Sequence, residues 1–192
     1  MLQIICVLTI IISLTIFTPL IKNMERYKVS RLILWVMFTV YIAGNLYFTV
    51  FSRSPGVIQR YEFYPLKIYS RLLEIPQDNV VAAGFVAKFL YGTLPIVGLI
   101  LNILLYYPLG YLLPILFPEL KPKHVILIGG LCSIATEATQ YLLKMGWCET
   151  DDVIHNTLGT AIGVWVWLWQ SKRLNARRSA VPEVKEEKSD QN

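Results

Sequence analysis

Long apolar runs alternate with short charged connections along most of the chain. A bilayer core of roughly 30 Å is crossed by a helix of about 20 apolar residues. Runs near that length predict five transmembrane helices. The predicted spans are Leu2–Ile21, Leu32–Phe51, Leu94–Phe117, Val125–Leu143 and Val153–Trp169. We therefore predict an all-α fold, a polytopic membrane helix bundle.

Two further segments complete the predicted organisation. The connection between the second and third spans is rich in apolar residues at helical spacing, which favours an interfacial or re-entrant helix within 52–93. After the fifth span the chain becomes charged and carries Pro182. We predict a transmembrane domain over 1–171 and a disordered, cytoplasmic charged tail over 172–192.

Composition supports a membrane protein and excludes several other classes. Charged residues make up 16% of the chain and hydrophobic residues 55%, whereas soluble domains carry roughly 25% charged residues. Three cysteines are too few for a disulfide scaffold. The net charge of +5 does not indicate nucleic-acid binding, because the basic residues flank apolar spans, where they act as orientation signals.

The charged connections predict the orientation of the chain. Lysine and arginine are concentrated at 22–31, 121–124 and 172–178, whereas 149–152 is acidic. Positively charged connections remain on the cytoplasmic side of a membrane. Five spans with the N-terminus outside and the C-terminus in the cytoplasm satisfy every one of these signals. The predicted location is therefore a membrane, with the acidic connection outside.

Polar and ionisable residues occur inside three predicted spans, where they are costly and usually face a partner or a cavity. They are Asn102 in the third span, Glu137 and Gln140 in the fourth, and Asp151, Asp152, His155 and Asn156 at the start of the fifth. The predicted topology places all of them in the outer half of the bilayer. We therefore predict a polar pocket that opens to the outside of the membrane. Its predicted ligand-binding residues are Asn102, Glu137, Gln140, Asp151, Asp152 and Asn156.

Each of these residues also has a plainer interpretation. The amides can simply join helices by hydrogen bonds, and Asp151 and Asp152 can cap the fifth helix. Catalysis is a further hypothesis, with Glu137 as general base and Asp152 or His155 as its partner, although the chain offers no clear nucleophile. One imidazole without a second histidine or cysteine is thin support for a metal, so no metal and no cofactor is predicted.

A pair of glycines lies on the polar face of the fifth predicted span. Gly159 and Gly163 form a GxxxG motif, which allows two helices to approach closely. We predict that the fourth span is the neighbouring helix.

Two blocks of sequence resemble the VanZ-like family, which is named for an accessory protein of glycopeptide (teicoplanin) resistance. The first block is Asn102–Pro114, and the second comprises Glu137, Gln140, Gly146 and Asp151–Gly159, followed by Gly163. A weaker match is Phe63–Leu66. Three features depart from the family pattern. The family usually has an arginine shortly after the glycine at Gly146, and this chain has none there; Glu149 replaces an aspartate, and Glu62 replaces an asparagine.

The resemblance implies an integral membrane protein of the bacterial cell envelope, linked in some members to resistance. It implies no reaction. Our first hypothesis is a binding protein whose partner is a membrane lipid or a lipid-linked wall precursor, held by its headgroup in the polar pocket. The alternatives are an enzyme that modifies a lipid-linked wall precursor and a small transporter or scramblase. A homodimer would supply the additional helices that a transporter needs.

Overall fold

A computed structural model of the chain describes residues 28–179 except 53, 59 and 66–76. This part of the chain is mostly helical. Its elements are α1 (Lys28–Leu46), a π-helix (Tyr47–Phe51), β1 (Arg60–Glu62), α2 (Gln77–Leu116), α3 (Pro122–Leu143), β2 (Trp147–Glu149) and α4 (Thr150–Ser179). The prediction of an all-α membrane protein is confirmed at the level of a mostly helical chain with membrane-type helices.

Three helical segments of the described chain are long and apolar enough to cross a membrane. They are Arg31–Phe51, Ile96–Leu116 and Pro122–Leu143, which correspond to the second, third and fourth predicted spans. The first predicted span lies outside the described residues. The fifth is part of α4, which does not meet this criterion because it begins with polar residues and ends with basic ones. Five spans therefore remain a prediction.

The structure changes the prediction for the segment before the third span. Residues 77–93 form no separate interfacial or re-entrant helix, because α2 is one continuous helix of 40 residues from Gln77 to Leu116. A helix in an apolar surrounding satisfies its own backbone hydrogen bonds, and no run of charge interrupts this one. Its length is about 60 Å, twice the thickness of a bilayer core.

The C-terminal end of the described chain also differs from the prediction. The helix α4 continues to Ser179, so residues 172–179 are helical rather than disordered. Within this stretch the guanidinium of Arg173 lies 3.8 Å from the centre of the Trp169 ring. Residues 180–192 lie outside the described part of the chain.

The connection between α3 and α4 is a tight turn that is stabilised by a small sheet. Lys144 ends α3 in the left-handed conformation with φ 57°, and the Met145 amide donates to the carbonyl of Gln140 at 2.8 Å. Gly146 follows with φ 144°, which a residue with a side chain rarely adopts. The chain then enters β2, which pairs in parallel with β1. The turn brings the start of α4 beside the end of α3.

The packing of α4 on α2 forms the centre of the molecule, and it corrects one prediction. A side chain at Gly159 would overlap the backbone of Ile103, and one at Gly163 would overlap the backbone of Tyr107 and Tyr111. The GxxxG face therefore contacts α2, not α3 as predicted. The reason is that α2 carries Gly110 opposite Thr160, so both helices present small residues at the crossing.

Candidate functional site

The polar residues of α2 and α4 meet at the end of the bundle where α4 begins. Asn102 Nδ2 donates a hydrogen bond to Asp152 Oδ1 at 2.6 Å. Asn102 is at mid-helix on α2, whereas Asp152 belongs to the first turn of α4. Both side chains are half-buried. The pair joins the two helices and is the accessible edge of the polar cluster, which we define as Asn102, Ser133, Glu137, Gln140, Asp151, Asp152, His155 and Asn156.

Glu137 connects α3 to the strand that follows it. Its Oε2 atom accepts a hydrogen bond of 2.9 Å from the backbone amide of Glu149 in β2. The side chain is only 4% exposed. A hydrogen bond between a backbone amide and a carboxylate is one of the stronger hydrogen bonds in proteins. The Glu137 carboxylate therefore holds β2, and with it the turn between α3 and α4, against the end of α3. This role is compatible with a contact to a ligand.

The two remaining amides of the cluster point in different directions. Asn156 Nδ2 donates to Ser133 Oγ at 2.8 Å, which joins α4 to α3. Gln140 Nε2 donates to the backbone carbonyl of Thr49 at 2.9 Å, which joins α3 to the π-helix. The structure therefore brings Asn156 to the interface with α3 and directs the amide nitrogen of Gln140 to the π-helix.

Asp151 and His155 lie one helical turn apart at the start of α4. Both are buried, with 6% and 2% of their surfaces exposed. Asp151 also lies in the first turn of its helix, where a carboxylate is favoured by the helix dipole. Capping and participation in the cluster are therefore compatible roles for this residue.

Two buried acceptors in the described part of the chain have no hydrogen-bond partner. They are Gln140 Oε1 and Asn156 Oδ1. The orientation of the Gln140 amide is determined by its bond to a carbonyl, which only accepts, so its oxygen is the free atom. A buried acceptor without a partner costs about 1–3 kcal/mol. Such atoms mark places where a donor from a water or a ligand would be stabilised.

The carboxylates also affect the thiol that lies among them. Cys148 in β2 is partly buried, and this burial raises its pKa above the ordinary value of a cysteine. The negative charges of Glu137, Asp152 and Glu149 raise the pKa further. The thiol therefore stays protonated at neutral pH. These three carboxylates come from α3, β2 and α4, so their common effect on Cys148 shows that the three elements meet near this thiol.

Sequence reasoning missed the partners of several cluster residues. Ser133 is fully buried beneath Asn156, and its seven-residue distance from Gln140 was the signal for a shared helix face.

A second polar network joins α1, α2 and α3. Tyr41 Oη donates to the Leu105 carbonyl at 2.9 Å, and Tyr106 Oη contacts Thr136 Oγ1 at 3.1 Å. Tyrosine at mid-helix looks like ordinary core in a sequence, which is why this network was not predicted.

A cleft adjoins the polar cluster on α3, where its wall residue Thr136 is the neighbour of Glu137. It has a volume of about 350 Å³ and runs between α1 and α3, with α2 as its floor. We call it the α1–α3 cleft. Its walls are Tyr41, Ile42, Asn45, Leu46, Val50 and Phe51 of α1 and the π-helix, Tyr106 and Leu109 of α2, and Cys132, Ala135, Thr136 and Thr139 of α3.

The described residues contain no group of three or more histidine, cysteine, aspartate or glutamate side chains suited to hold a metal ion. The polar cluster is a set of oxygen acceptors that hydrogen bonds between helices hold in place. The half-buried Asn102–Asp152 pair is its accessible edge. Such a set recognises hydroxyl, amide or amine groups.

Comparison with known proteins identifies the family of the chain. The family model VanZ/LLP1 matches residues 28–171, which include α1 to α3, both strands and most of α4. No curated protein and no solved structure matches the chain. Since the family model covers most of the 192 residues, the chain belongs to the VanZ/LLP1 family.

Proposed function

We propose that this chain is a multi-pass protein of the bacterial cytoplasmic membrane that binds a lipid or lipid-linked headgroup through its polar cluster. The observation that carries the proposal is the Asn102–Asp152 hydrogen bond, because it joins α2 and α4 at a half-buried position, one helical turn from Asn156, whose Oδ1 has no partner. A headgroup with hydroxyl, amide or amine donors finds acceptors there. The polar cluster faces the outer leaflet in the predicted topology.

The role proposed for the protein in the cell is reduced susceptibility to glycopeptides, teicoplanin in particular. The support is membership of the VanZ/LLP1 family together with a site suited to a lipid-linked wall precursor. Binding is favoured over catalysis, because Glu137 Oε2 is engaged by the backbone of β2. A general base needs its oxygen within hydrogen-bond reach of a substrate proton.

The proposal is tested by Asp152→Asn, which keeps an oxygen acceptor for Asn102 while it removes the charge. We expect Asp152→Asn to lower the amount of co-purifying lipid by about tenfold, because charged hydrogen bonds contribute about 1.5–3 kcal/mol. Mass spectrometry of the purified protein measures this lipid. The teicoplanin susceptibility of cells that express the variant should move to that of cells without the protein.

Three further variants complete this experiment. Asn156→Ala and Glu137→Gln change the buried part of the polar cluster and should act in the same direction. Thr39→Ala is the matched control, because the Thr39 hydroxyl is exposed on α1 and bonds only to the backbone of its own helix. If the three cluster variants fold, retain their lipid and leave susceptibility unchanged, the polar cluster is a scaffold and the proposal fails.

A further inference from the structure

The Asn156 amide determines whether the polar cluster presents an acceptor or a donor at its buried side. An asparagine amide has an oxygen that accepts and a nitrogen that donates, and its partners within the protein decide which of the two stays available. Asn156 is 4% exposed, and its Nδ2 atom donates to Ser133 Oγ at 2.8 Å. Its Oδ1 atom is buried and has no hydrogen-bond partner. This orientation requires Ser133 to act as an acceptor, because a serine that donated to Asn156 would turn the amide round.

A chain of hydroxyl groups fixes the direction of these hydrogen bonds. It ends at the backbone carbonyl of Cys132, which only accepts and receives the hydrogen of Thr136 Oγ1 at a donor–acceptor distance of 3.0 Å. A hydroxyl group has one hydrogen, so Thr136 has none left for its 3.1 Å contact with Tyr106 Oη. Tyr106 is therefore the donor in that contact, and its oxygen is left with lone pairs only.

Ser133 connects this chain to Asn156. The Tyr106 hydroxyl is also within hydrogen-bonding reach of the Ser133 side chain. Because the Tyr106 hydrogen is used on Thr136, Ser133 donates to Tyr106, and the Ser133 oxygen accepts from Asn156. Ser133 and Tyr106 are buried, with 0% and 2% of their surfaces exposed, so water does not compete for these bonds. Donation runs in one direction from Asn156 to the Cys132 carbonyl, and the Asn156 oxygen stays available.

The available oxygen lies close to the accessible edge of the polar cluster. Asn156 follows Asp152 by four residues on the same face of α4, which separates them by one helical turn of about 5 Å. We propose that Ser133, Tyr106 and Thr136 are positioning residues that turn the Asn156 oxygen toward the ligand. The polar cluster then selects a headgroup with an N–H or O–H donor over one without. This inference rests on the proposed function, since it names the ligand class of the same site.

A series of phospholipids that differ only at one nitrogen tests the selection. Phosphatidylethanolamine, its N-methyl and N,N-dimethyl derivatives and phosphatidylcholine, all with the same acyl chains, lose one N–H donor at each step. Native mass spectrometry of the full-length protein in detergent measures how much of each lipid binds. We expect phosphatidylethanolamine to bind about tenfold more tightly than phosphatidylcholine, because the hydrogen bond from a charged donor is lost with the last N–H. Equal binding of the four lipids would overturn the proposal.

Tyr106→Phe removes the oxygen that accepts from Ser133. The Ser133 hydrogen then bonds to the Asn156 oxygen, and the amide turns its nitrogen toward the ligand. The preference should fall to within about twofold, through weaker binding of phosphatidylethanolamine and unchanged binding of phosphatidylcholine. A general loss of packing would weaken both lipids and would contradict the positioning role. If Tyr106→Phe does not fold, Thr136→Val frees the Tyr106 hydrogen for Ser133 and should give the same result.

Two further variants separate orientation from packing. Thr157→Val is the matched control, because Thr157 is next to Asn156 but its hydroxyl bonds to the Val153 carbonyl of its own helix. It should leave the preference unchanged. In an Asn156→Asp background both side-chain oxygens accept, so Tyr106→Phe should no longer alter the preference. If Tyr106→Phe acts equally in both backgrounds, the hydroxyl chain does not work through Asn156 and the proposal fails.

The test is separate from that of the proposed function. If Asp152→Asn lowers the amount of co-purifying lipid while Tyr106→Phe leaves the lipid preference unchanged, the headgroup site stands and this inference is overturned. A polyprenyl-linked wall precursor, whose sugar hydroxyl and amide groups are also donors, identifies the source of the donor. Displacement of phosphatidylethanolamine by the precursor, lost in Tyr106→Phe, supports selection of the precursor. Without displacement, the tenfold preference supports selection of a phospholipid.

Discussion

Single glycines determine how closely the central helices approach. At Gly163 a Cβ atom would overlap the backbone of α2 at Tyr107 and Tyr111, and a backbone cannot rotate aside as a side chain can. In a membrane, helices associate through this kind of close packing, because the lipid supplies no hydrophobic driving force between them. The glycine is therefore a condition for the Asn102–Asp152 bond further along the same interface.

We expect Gly163→Ala to lower the free energy of unfolding by about 1–3 kcal/mol, because the added methyl group forces α4 away from α2. Unfolding in mixed micelles by titration with a denaturing detergent measures this change. Gly44→Ala is the matched control, because nothing lies within 4 Å of a Cβ at Gly44. Alanine there should leave stability unchanged or raise it by up to about 1 kcal/mol. Equal effects at the two positions would contradict the packing argument.

The thiol of Cys148 reports on the carboxylates around it. Burial raises its pKa first, and the charges of Glu137, Asp152 and Glu149 raise it further. Because only the thiolate reacts with maleimide, we expect alkylation in a Cys6→Ser, Cys132→Ser background to accelerate at a higher pH than for a free cysteine. Removing one charge in Glu149→Gln should move the midpoint to lower pH. A midpoint at or below that of free cysteine, read from the alkylation rate against pH, would contradict this arrangement.

The sequence predicted the residue types of the polar cluster better than their partners. Asp152 and Asn102 stood out because ionisable and amide groups are rare in apolar helices. Ser133 did not, because a serine in a helix usually bonds to its own backbone. The direction of Gln140 depends on where the π-helix places the Thr49 carbonyl, which no spacing in the sequence encodes.

At the scale of elements, the connection from α3 to α4 is the part that assembles the site. Lys144 and Gly146 reverse the chain, and β2 then pairs with β1. The Glu137 carboxylate receives the amide of Glu149 and so fixes β2 to the end of α3. The start of α4, which carries Asp151 and Asp152, follows directly.

We expect Glu137→Leu to lower the free energy of unfolding by about 1–3 kcal/mol, because the partly buried Glu149 amide loses its acceptor. Glu137→Gln keeps an acceptor oxygen at that place and should retain most of the stability. Detergent titration of both variants measures the difference. Should the two variants be equally destabilised, the negative charge rather than the hydrogen bond would be what holds β2.

The length and apolarity of runs predicted the helices, but not their boundaries or neighbours. Residues 77–93 joined α2, since neither Gly92 nor Pro95 ends that helix. The GxxxG motif indicated that some helix comes close to α4, and in the structure its two glycines meet the backbone of α2 at Ile103 and Tyr107. Pairing of this kind depends on two surfaces together, so one motif does not determine it.

At the scale of the whole molecule, the described chain has two chemically different ends. The ends of α2 and α4 and the start of α3 carry Lys121, Lys123, Lys172 and Arg173. The other end holds the polar cluster and the two short strands. An asymmetry of this kind orients membrane proteins with the basic end in the cytoplasm. In the proposed orientation the polar cluster lies near the outer leaflet, where lipid-linked wall precursors would reach it.

The orientation is tested with single cysteines at the two ends of the bundle. Ser54 is exposed at the end that holds the polar cluster, and Glu119 is exposed between α2 and α3. In a background with Cys6→Ser, Cys132→Ser and Cys148→Ser, we expect a membrane-impermeant maleimide to label Ser54→Cys but not Glu119→Cys in intact cells. In permeabilised cells the maleimide should label both cysteines. The reverse pattern in intact cells would place the polar cluster at the cytoplasmic face, where a ligand of the outer leaflet has no access to Asn102 and Asp152.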